Sequence, residues 1–295
     1  MERSRGGDGG PGGGSQDRPP VGAVEQSRGI ADSRKAREPV LAVENLTVVY
    51  KGGGIGVEGI SLQIGSSQVV TLLGPNGAGK TSTLRGIAGF LRRDAARATS
   101  GSIKLNGKEL SKMSPGERAR EGIAMVPERD KVFTGLSVME NLKIGAVGRG
   151  KKKFQESMEK ALAIFPNLVP HLNRKAGYLS GGQRQMLALA SALCTDPKLL
   201  VVDELTLGLS PELVATMVRS LAEIVAEGLP ILAAEQSISV ALDLSDVIHV
   251  LDGGKQVTSG DKEALMTDKA LVETFLGRTT GAPVEERLDE RSAKP

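Results

Sequence analysis

The chain has 295 residues, a net charge of +3 and 39% hydrophobic residues, with 38 glycines and a single cysteine. Aromatic residues make up only 2%, which argues against a nucleic-acid surface, because such surfaces interleave basic residues with aromatics that stack on bases. The single cysteine cannot form an internal disulfide and favours a reducing compartment. No apolar run approaches the ~18 residues of a membrane span, and no signal-peptide core is seen at the N-terminus.

Patterning typical of a folded domain fills residues 39–278. Residues 1–38 are predicted to be disordered, because the run GGDGGPGGGSQDRPP has no hydrophobic period and buries too little apolar area to offset chain entropy. Residues 279–295 are similar in composition and are predicted to form a flexible tail. The sequence contains no internal repeat.

Strands and helices alternate along this domain. Apolar and polar residues alternate in VLAVENLTVVY and GISLQIG, as they do in antiparallel strands. SQVVTLLG is a short apolar run typical of a buried parallel strand. Further strands are predicted at GIAMVPE, KLLVVDE, PILAAEQ and DVIHVLD. Helical patterns fall at Thr81–Phe90, Lys151–Phe165, Ser180–Cys194 and Pro211–Glu227. The alternation predicts an α/β fold with a doubly wound sheet, and the strand-free stretch 138–194 predicts a helical subdomain.

A phosphate-binding motif follows SQVVTLLG and opens a helix. GPNGAGKT, residues 74–81 and here called the phosphate loop, fits G-x-x-x-x-G-K-[ST]. Its glycines let backbone N–H groups surround phosphates, and Lys80 is expected to reach the β- and γ-phosphates while the Thr81 hydroxyl ligates Mg²⁺. The predicted nucleotide-binding residues here are Gly74, Pro75, Asn76, Gly77, Ala78, Gly79, Lys80, Thr81 and Ser82. A chance match is disfavoured by the position between strand and helix.

Two adjacent carboxylates end the predicted strand KLLVVDE. Because successive strand residues point to opposite faces, one carboxylate can hold the magnesium shell while the next faces an attacking water. We assign Asp203 to Mg²⁺ and Glu204 to the general base. Without the phosphate loop, such a pair would indicate only a solvated strand end.

A third motif, LSGGQRQ, opens the helix predicted from Ser180. Ser180 is a natural N-cap, and Gly181 and Gly182 allow the phosphate of another molecule to approach closely. Alone, this motif would indicate little, because S-G-G is common in loops.

GPNGAGKT, LSGGQ and VVDE, in that order, resemble the ABC-type ATPases over about residues 39–278. The resemblance implies a P-loop NTPase fold with a mixed or parallel core sheet, an antiparallel β-subdomain and a helical subdomain. It also implies ATP and Mg²⁺ as cofactors and a head-to-tail dimer, homo- or heterodimeric, in which each signature contacts the partner's ATP. The implied signature contacts are Ser180, Gly181, Gly182 and Gln183. Tyr50 matches the aromatic residue that stacks on adenine.

Two departures from the family pattern resemble one ATPase type of the importers of branched-chain (hydrophobic) amino acids. Glu128 stands in MVPERDKVF where many relatives carry Gln, and Gln236 ends PILAAEQ where many carry His. That type typically reads V-P-E and E-Q at these places. The resemblance implies a metal contact for Glu128, through a water, and a catalytic switch role for Gln236, whose amide can donate and accept hydrogen bonds. A third departure, Leu205 in place of the usual proline, affects the loop at the dimer interface.

The function implied is the energy-coupling ATPase of an amino-acid importer. Two transmembrane permease subunits would come from other chains, with a short permease helix docking near RDKVFTGLSVMENL, and a substrate-binding protein would act indirectly. The protein would lie peripherally on the cytoplasmic face of the plasma (inner) membrane. No nucleic-acid partner is expected.

Three alternatives stay open. A soluble ABC ATPase acting on DNA or ribosomes usually carries coiled-coil insertions or a second ATPase domain, whereas this chain has one phosphate loop. A regulatory subunit that binds ATP with weak hydrolysis is favoured only by Gln236 and Glu128. A lipopolysaccharide-export ATPase is of similar size, but that family keeps Gln and His at the two positions.

Overall fold

The computed structural model describes residues 38–91, 96–129, 131–145 and 150–266. The predicted tails, 1–38 and 279–295, lie outside the described residues apart from Glu38. The end of the predicted domain, beyond residue 266, lies outside them as well.

Strands and helices alternate along the described chain. The strands are β1 (Leu41–Tyr50), β2 (Ile55–Ile64), β3 (Val69–Leu73), β4 (Ala96–Leu105), β5 (Lys108–Glu109), β6 (Ile123–Val126), β7 (Leu199–Asp203), β8 (Ile231–Glu235), β9 (Val247–Asp252) and β10 (Lys255–Gly260). The helices are α1 (Lys80–Ala88), α2 (Pro115–Glu121), α3 (Val138–Ile144), α4 (Lys151–Ile164), α5 (Gly181–Leu193), α6 (Pro211–Ala226), α7 (Ile238–Leu244) and α8 (Lys262–Met266). Each strand and helix predicted from the sequence is present, with ends that differ by a few residues.

A six-stranded sheet forms the centre of the fold. Its strand order is β10-β9-β3-β8-β7-β6, and β10 alone is antiparallel to its neighbour. Strands β3, β7 and β8 are buried along their whole length, which explains their continuous apolar sequences. Since these three strands are parallel neighbours, their carboxyl ends meet at one edge, where a doubly wound sheet binds its ligands.

A second sheet is antiparallel, with the strand order β2-β1-β4-β5. The β1–β2 pair was predicted, whereas β4, β5 and β10 were not, because their sequences are largely polar. Helix α1 packs between the two sheets through Leu84 and Ile87, which share a buried cluster with Leu46 and Val48 of β1. The described part of 138–194 contains α3, α4, α5 and 3₁₀ turns, and no strand.

The carboxyl end of α1 is capped by a buried arginine from α2. Arg118 Nη1 donates to the carbonyls of Gly86 at 2.6 Å and Ile87 at 2.7 Å, both in the last turn of α1. Its Nε donates to Met113 O at 3.1 Å and its Nη2 to Ser111 O at 3.0 Å. A cation at this end complements the helix dipole and satisfies carbonyls that the helix itself leaves unpaired.

Replacement of Arg118 by leucine should lower the free energy of unfolding by about 3 kcal/mol, because it leaves buried carbonyls without partners. Urea denaturation followed by circular dichroism measures this change. Arg120→Leu removes an exposed arginine from the same helix and should change stability by less than about 0.5 kcal/mol. Equal losses in the two variants would contradict the capping role.

Candidate functional site

A cleft of about 340 Å³ opens over the phosphate loop, between β3 and α1. The residues that line it are Tyr50, Ile55, Gly56, Asn76, Gly77, Ala78, Gly79, Lys80, Thr81, Ser82, Glu128 and Glu204. Gly74 and Pro75 lie at the base of the loop, where their carbonyls accept hydrogen bonds from Lys80. The structure thus brings the predicted phosphate-loop residues together with Tyr50, Glu128 and Glu204, which are distant in sequence.

The phosphate loop is held by close backbone contacts that only glycine permits. Gly79 has φ +101°, and a Cβ there would lie 2.4 Å from Val57 Cγ1 and 2.7 Å from Gly56 O. Gly254, in the β9–β10 turn, donates its N–H to Ala78 O at 3.2 Å, and a Cβ on Gly254 would lie 3.1 Å from Gly56 O. Three glycine backbones from separate segments therefore meet beneath the N-terminus of α1, where helix N–H groups suit an anion.

Lys80 is buried, with 3% of its side chain exposed. Its Nζ donates to Gly74 O at 2.8 Å and Pro75 O at 3.1 Å. It also lies 3.2 Å from Glu204 Oε1 in an ion pair. The three acceptors match the three donor positions of the ammonium, and the carboxylate compensates its charge.

Asp203 lies at the end of β7 and points toward the phosphate-loop helix. Its Oδ1 accepts a hydrogen bond from Thr81 Oγ1 at 3.1 Å, while its buried Oδ2 has no hydrogen-bond partner among the described residues. Burial raises the pKa of this carboxyl to about 6, against a lowering by the Thr81 bond. Glu128 lines the same cleft and accepts a hydrogen bond from Arg129 Nε at 3.2 Å. Oxygen ligands of this kind are those that Mg²⁺ prefers.

Glu204 adopts a backbone conformation that is rare for its residue type, with φ +46°. Its side chain is 8% exposed, and its Oε2 accepts a hydrogen bond from Gln236 Nε2 at 2.6 Å. The two residues follow the neighbouring strands β7 and β8, which explains why they meet. The next residue, Leu205, is buried where a proline was expected from the family pattern. Non-glycine residues with positive φ are often found at functional sites.

A further carboxyl group, Glu235, lies beside the site and was not predicted as a functional residue. Its Oε2 accepts a hydrogen bond from Thr206 Oγ1 at 2.9 Å, and both side chains are buried. Burial, together with the negative charge of the neighbouring Glu204, raises the pKa of Glu235 to about 7, against a lowering by the Thr206 bond. The available sequence signal was a carboxylate at the end of an apolar strand, immediately before Gln236.

Tyr50 ends β1 at the mouth of the cleft. Its hydroxyl lies 2.6 Å from Ser82 Oγ, in a hydrogen bond that either atom can donate. The ring lies against Gly56, where a Cβ would come within 2.7 Å of Tyr50 Cε2. These contacts fix the ring beside the phosphate loop while leaving it in the cleft lining.

The signature residues lie apart from the cleft, at the N-terminus of α5. The Ser180 hydroxyl accepts from Gln183 N at 3.2 Å, and Ser180 N donates to Gln183 Oε1 at 3.0 Å, which forms a capping box. Gln183 Nε2 lies 3.1 Å from His171 Nε2, a contact that the sequence analysis did not anticipate. A Cβ on Gly181 would have no described atom within 4 Å, whereas one on Gly182 would meet Leu213. Ser180 and Gly181 are thus exposed, whereas Gln183 is half-buried and Gly182 is buried.

Comparisons with known proteins agree with this geometry. Residues 57–207 match the family described as ABC transporter. The chain is 36% identical over 228 residues to the high-affinity branched-chain amino acid transport ATP-binding protein BraG of Pseudomonas aeruginosa, an alignment that covers 77% of this chain and 96% of that protein. It is 35% identical to the probable branched-chain amino acid transport ATP-binding protein LivF of Archaeoglobus fulgidus, covering 74% and 91%.

A transporter protein with another substrate is also similar. The lipopolysaccharide export system ATP-binding protein LptB of Haemophilus influenzae is 31% identical over 240 residues, which cover 81% of this chain and 97% of that protein. Among solved structures, the ADP conformation of an ATP-binding cassette of an ABC transporter matches with a TM-score of 0.72 at 27% identity, covering 82% of this chain and 100% of that one. No helix in the described ranges is long and apolar enough to cross a membrane.

Gly79→Ala should weaken the binding of a fluorescent ATP analogue at least about tenfold. The added methyl group collides with Val57 and Gly56, so the phosphate loop must shift, and a loss of about 1.4 kcal/mol in the complex is enough for that change. Gly59→Ala is the matched control, because Gly59 also has positive φ, +66°, but a Cβ there meets no described atom within 4 Å. Equal affinity in the two variants would show that the close contact is not needed.

Proposed function

This chain belongs to the ABC transporter family as an ATPase subunit, and on that premise we propose that it drives the import of branched-chain or hydrophobic amino acids. The observation that carries the ATPase chemistry is the carboxylate of Glu204, held between Lys80 at 3.2 Å and Gln236 at 2.6 Å beside the phosphate loop. The choice of substrate class rests on the similarity to BraG and LivF, at 36% and 35% identity, and on Glu128 and Gln236.

Glu204 would act as the general base for hydrolysis. A phosphate oxygen of ATP would replace Glu204 at the Lys80 ammonium, and the released Oε1 would then accept a proton from the attacking water. Gln236, by donating to Oε2, would hold the carboxylate in that orientation without adding a charge. The contact between Gln236 and Glu204 therefore supports an active ATPase.

Thr81 and Asp203 fit a magnesium ion. The buried Oδ2 of Asp203, unpaired among the described residues, is an oxygen that such an ion takes up. Glu128 would reach the ion through a water. The described residues contain no cluster of three or more His, Cys, Asp or Glu side chains able to hold a metal, so phosphate and water would supply the other ligands. Bound magnesium supplies positive charge that neutralises the phosphates.

A second ATPase subunit would complete the site. Ser180, Gly181, Gly182 and Gln183 lie outside the nucleotide cleft of their own chain, and Gly181 is exposed at the N-terminus of α5. A helix N-terminus with an open glycine suits the phosphates of a nucleotide held by another subunit. The partner is a second copy of this chain or a related ATPase, and Tyr50 would stack on the adenine in the cleft of each.

Permease subunits would dock in a groove of about 160 Å³ beside the loop that follows β6, here called the docking groove. Phe133 lines the docking groove with 60% of its surface exposed. Its main chain is clamped by the buried Asn141, whose Oδ1 accepts from Phe133 N at 2.8 Å and whose Nδ2 donates to Phe133 O at 3.1 Å. A rigidly presented aromatic suits a permease helix, and such docking would place the chain at the cytoplasmic face of the membrane, with a substrate-binding protein acting indirectly.

Lipopolysaccharide export is the second candidate function, because LptB is 31% identical over a comparable length. The two functions share the ATPase chemistry and differ in the permeases. Gln236 and Glu128 favour amino-acid import, since the export family keeps His and Gln at these positions.

Glu204→Gln should lower kcat by about 10²–10⁴-fold, the usual contribution of a general base, while ATP binding is retained. Phosphate release at saturating MgATP and binding of a fluorescent ATP analogue measure the two quantities. Glu223→Gln, an exposed site on α6, is the control and should leave both unchanged. Turnover of Glu204→Gln equal to the unmodified protein would overturn the assignment.

Phe133→Ser should reduce the recovery of membrane-spanning partners when the tagged protein is captured gently from native membranes. Val169→Ser, which replaces another exposed apolar residue (49%) outside the docking groove, should recover them normally. Permeases that co-purify with an amino-acid-binding protein would support import, and lipopolysaccharide-export permeases would support the second candidate. Ribosomal or DNA-repair proteins in place of permeases would contradict both.

A further inference from the structure

A buried polar connection joins the docking groove to the loop that carries Glu204. Lys131 lines the docking groove, five residues after the end of β6. Lys131 is half-buried, and its Nζ donates to Gln185 Oε1 at 2.5 Å. Gln185 is 5% exposed and lies on α5, the helix that begins at the signature.

Both the oxygen and the nitrogen of the Gln185 side-chain amide form hydrogen bonds. Its Nε2 donates to the main-chain carbonyl of Leu205, the residue directly after Glu204. The orientation of the amide is fixed, because an ammonium only donates and a carbonyl only accepts. Loss of the Lys131 ammonium would leave Gln185 Oε1 without this donor, so that the bond to Leu205 O would hold the amide from one side only.

The Leu205 peptide follows a residue with an uncommon backbone conformation. Glu204, which precedes it, has φ +46°, a conformation that persists only when the surroundings impose it. On the far side of Leu205, the Thr206 hydroxyl donates to Glu235 Oε2 at 2.9 Å. Gln185 and Glu235 therefore hold the turn that follows Glu204 from both sides.

Charge also links Lys131 to this region. Burial lowers the pKa of Lys131, whereas the neighbouring carboxylates raise it. Those carboxylates are Glu128, Asp203, Glu235 and Glu204. Lys131 is thus a cation within electrostatic range of the acidic groups of the site, without lying in the nucleotide cleft.

We propose that Lys131 is a positioning residue for ATP hydrolysis, which acts through Gln185 to fix the Leu205 peptide and thereby the direction of the Glu204 carboxylate. The inference rests on the proposed role of Glu204 as the base. It does not require Lys131 to touch the nucleotide, so the effect should fall on turnover and not on binding.

Two substitutions interrupt the connection at different points. Lys131→Met keeps the length of the side chain and removes the donor, and Gln185→Glu keeps an acceptor for Lys131 but loses the donor to Leu205 O. We expect each to lower kcat at saturating MgATP about tenfold, because small misplacements of a catalytic group cost that much or more. Affinity for a fluorescent ATP analogue should stay unchanged. The thermal midpoint should fall by a few degrees in Gln185→Glu, because the buried Leu205 carbonyl loses its donor, and each variant should remain folded at the assay temperature.

The double variant and a conservative replacement test the mechanism. Lys131→Met combined with Gln185→Met, a pair that leaves no unpaired charge, should be no slower than Gln185→Met alone, since the two residues act as a unit. Lys131→Arg keeps a donor and should recover most of the turnover. Lys143→Met, which removes an exposed lysine on α3, is the control and should leave kcat unchanged.

Several results would overturn the inference: unchanged kcat in Lys131→Met, losses that multiply in the double variant, or a parallel fall in ATP affinity. Turnover of Glu204→Gln, measured in the same assay, distinguishes an error in the positioning role of Lys131 from an error in the proposed function. If Glu204→Gln loses turnover while Lys131→Met keeps it, only the positioning role is wrong. If Glu204→Gln keeps turnover, the assignment of the base falls, and the positioning role falls with it.

Discussion

The ion pair between the buried Lys80 ammonium and Glu204 is the interaction on which the site depends. Three carboxyl groups, those of Asp203, Glu204 and Glu235, are buried at the edge of one sheet, where like charges repel and desolvation disfavours ionisation. Burial raises the pKa of Asp203 to about 6 and that of Glu235 to about 7. Lys80, at 3.2 Å from Glu204, supplies the opposite charge that allows a carboxylate to lie in the middle of this group.

The parallel sheet explains how these groups meet. Strands β3, β8 and β7 are neighbours in the central sheet, and each delivers one part of the site where it ends. β3 leads into the phosphate loop, β7 into the two carboxylates that follow Val202, and β8 into Glu235 and Gln236. Apart from Thr71 in β3, the three strands are apolar up to their last residues, so their carboxylates lie at the carboxyl ends.

The sequence predicted the parts of the site that are local in the chain. The phosphate loop, the VVDE carboxylates and the Ser180 cap are short motifs whose chemistry follows from adjacent residues, and the buried strands are recognisable as apolar runs. Residues whose role depends on partners far along the chain escaped prediction. Gln185 and Leu205 are 20 residues apart, and Thr206 and Glu235 are 29 apart. No local sequence pattern therefore predicts these hydrogen bonds. The polar strands β4 and β10 were missed because pairing with neighbours, not hydrophobicity, makes them strands.

The close contact of Gly79, Gly56 and Gly254 limits which substitutions the sequence can accept at these positions. The three positions belong to the phosphate loop, to β2 and to the β9–β10 turn, and a Cβ at Gly79 or Gly254 would lie 2.7 or 3.1 Å from Gly56 O. A side chain gained at Gly79 or Gly254 would press on the Gly56 backbone and move the antiparallel sheet relative to the central one. Substitutions at these positions are therefore constrained jointly, although Gly56 and Gly254 lie 23 and 175 residues from Gly79 along the chain.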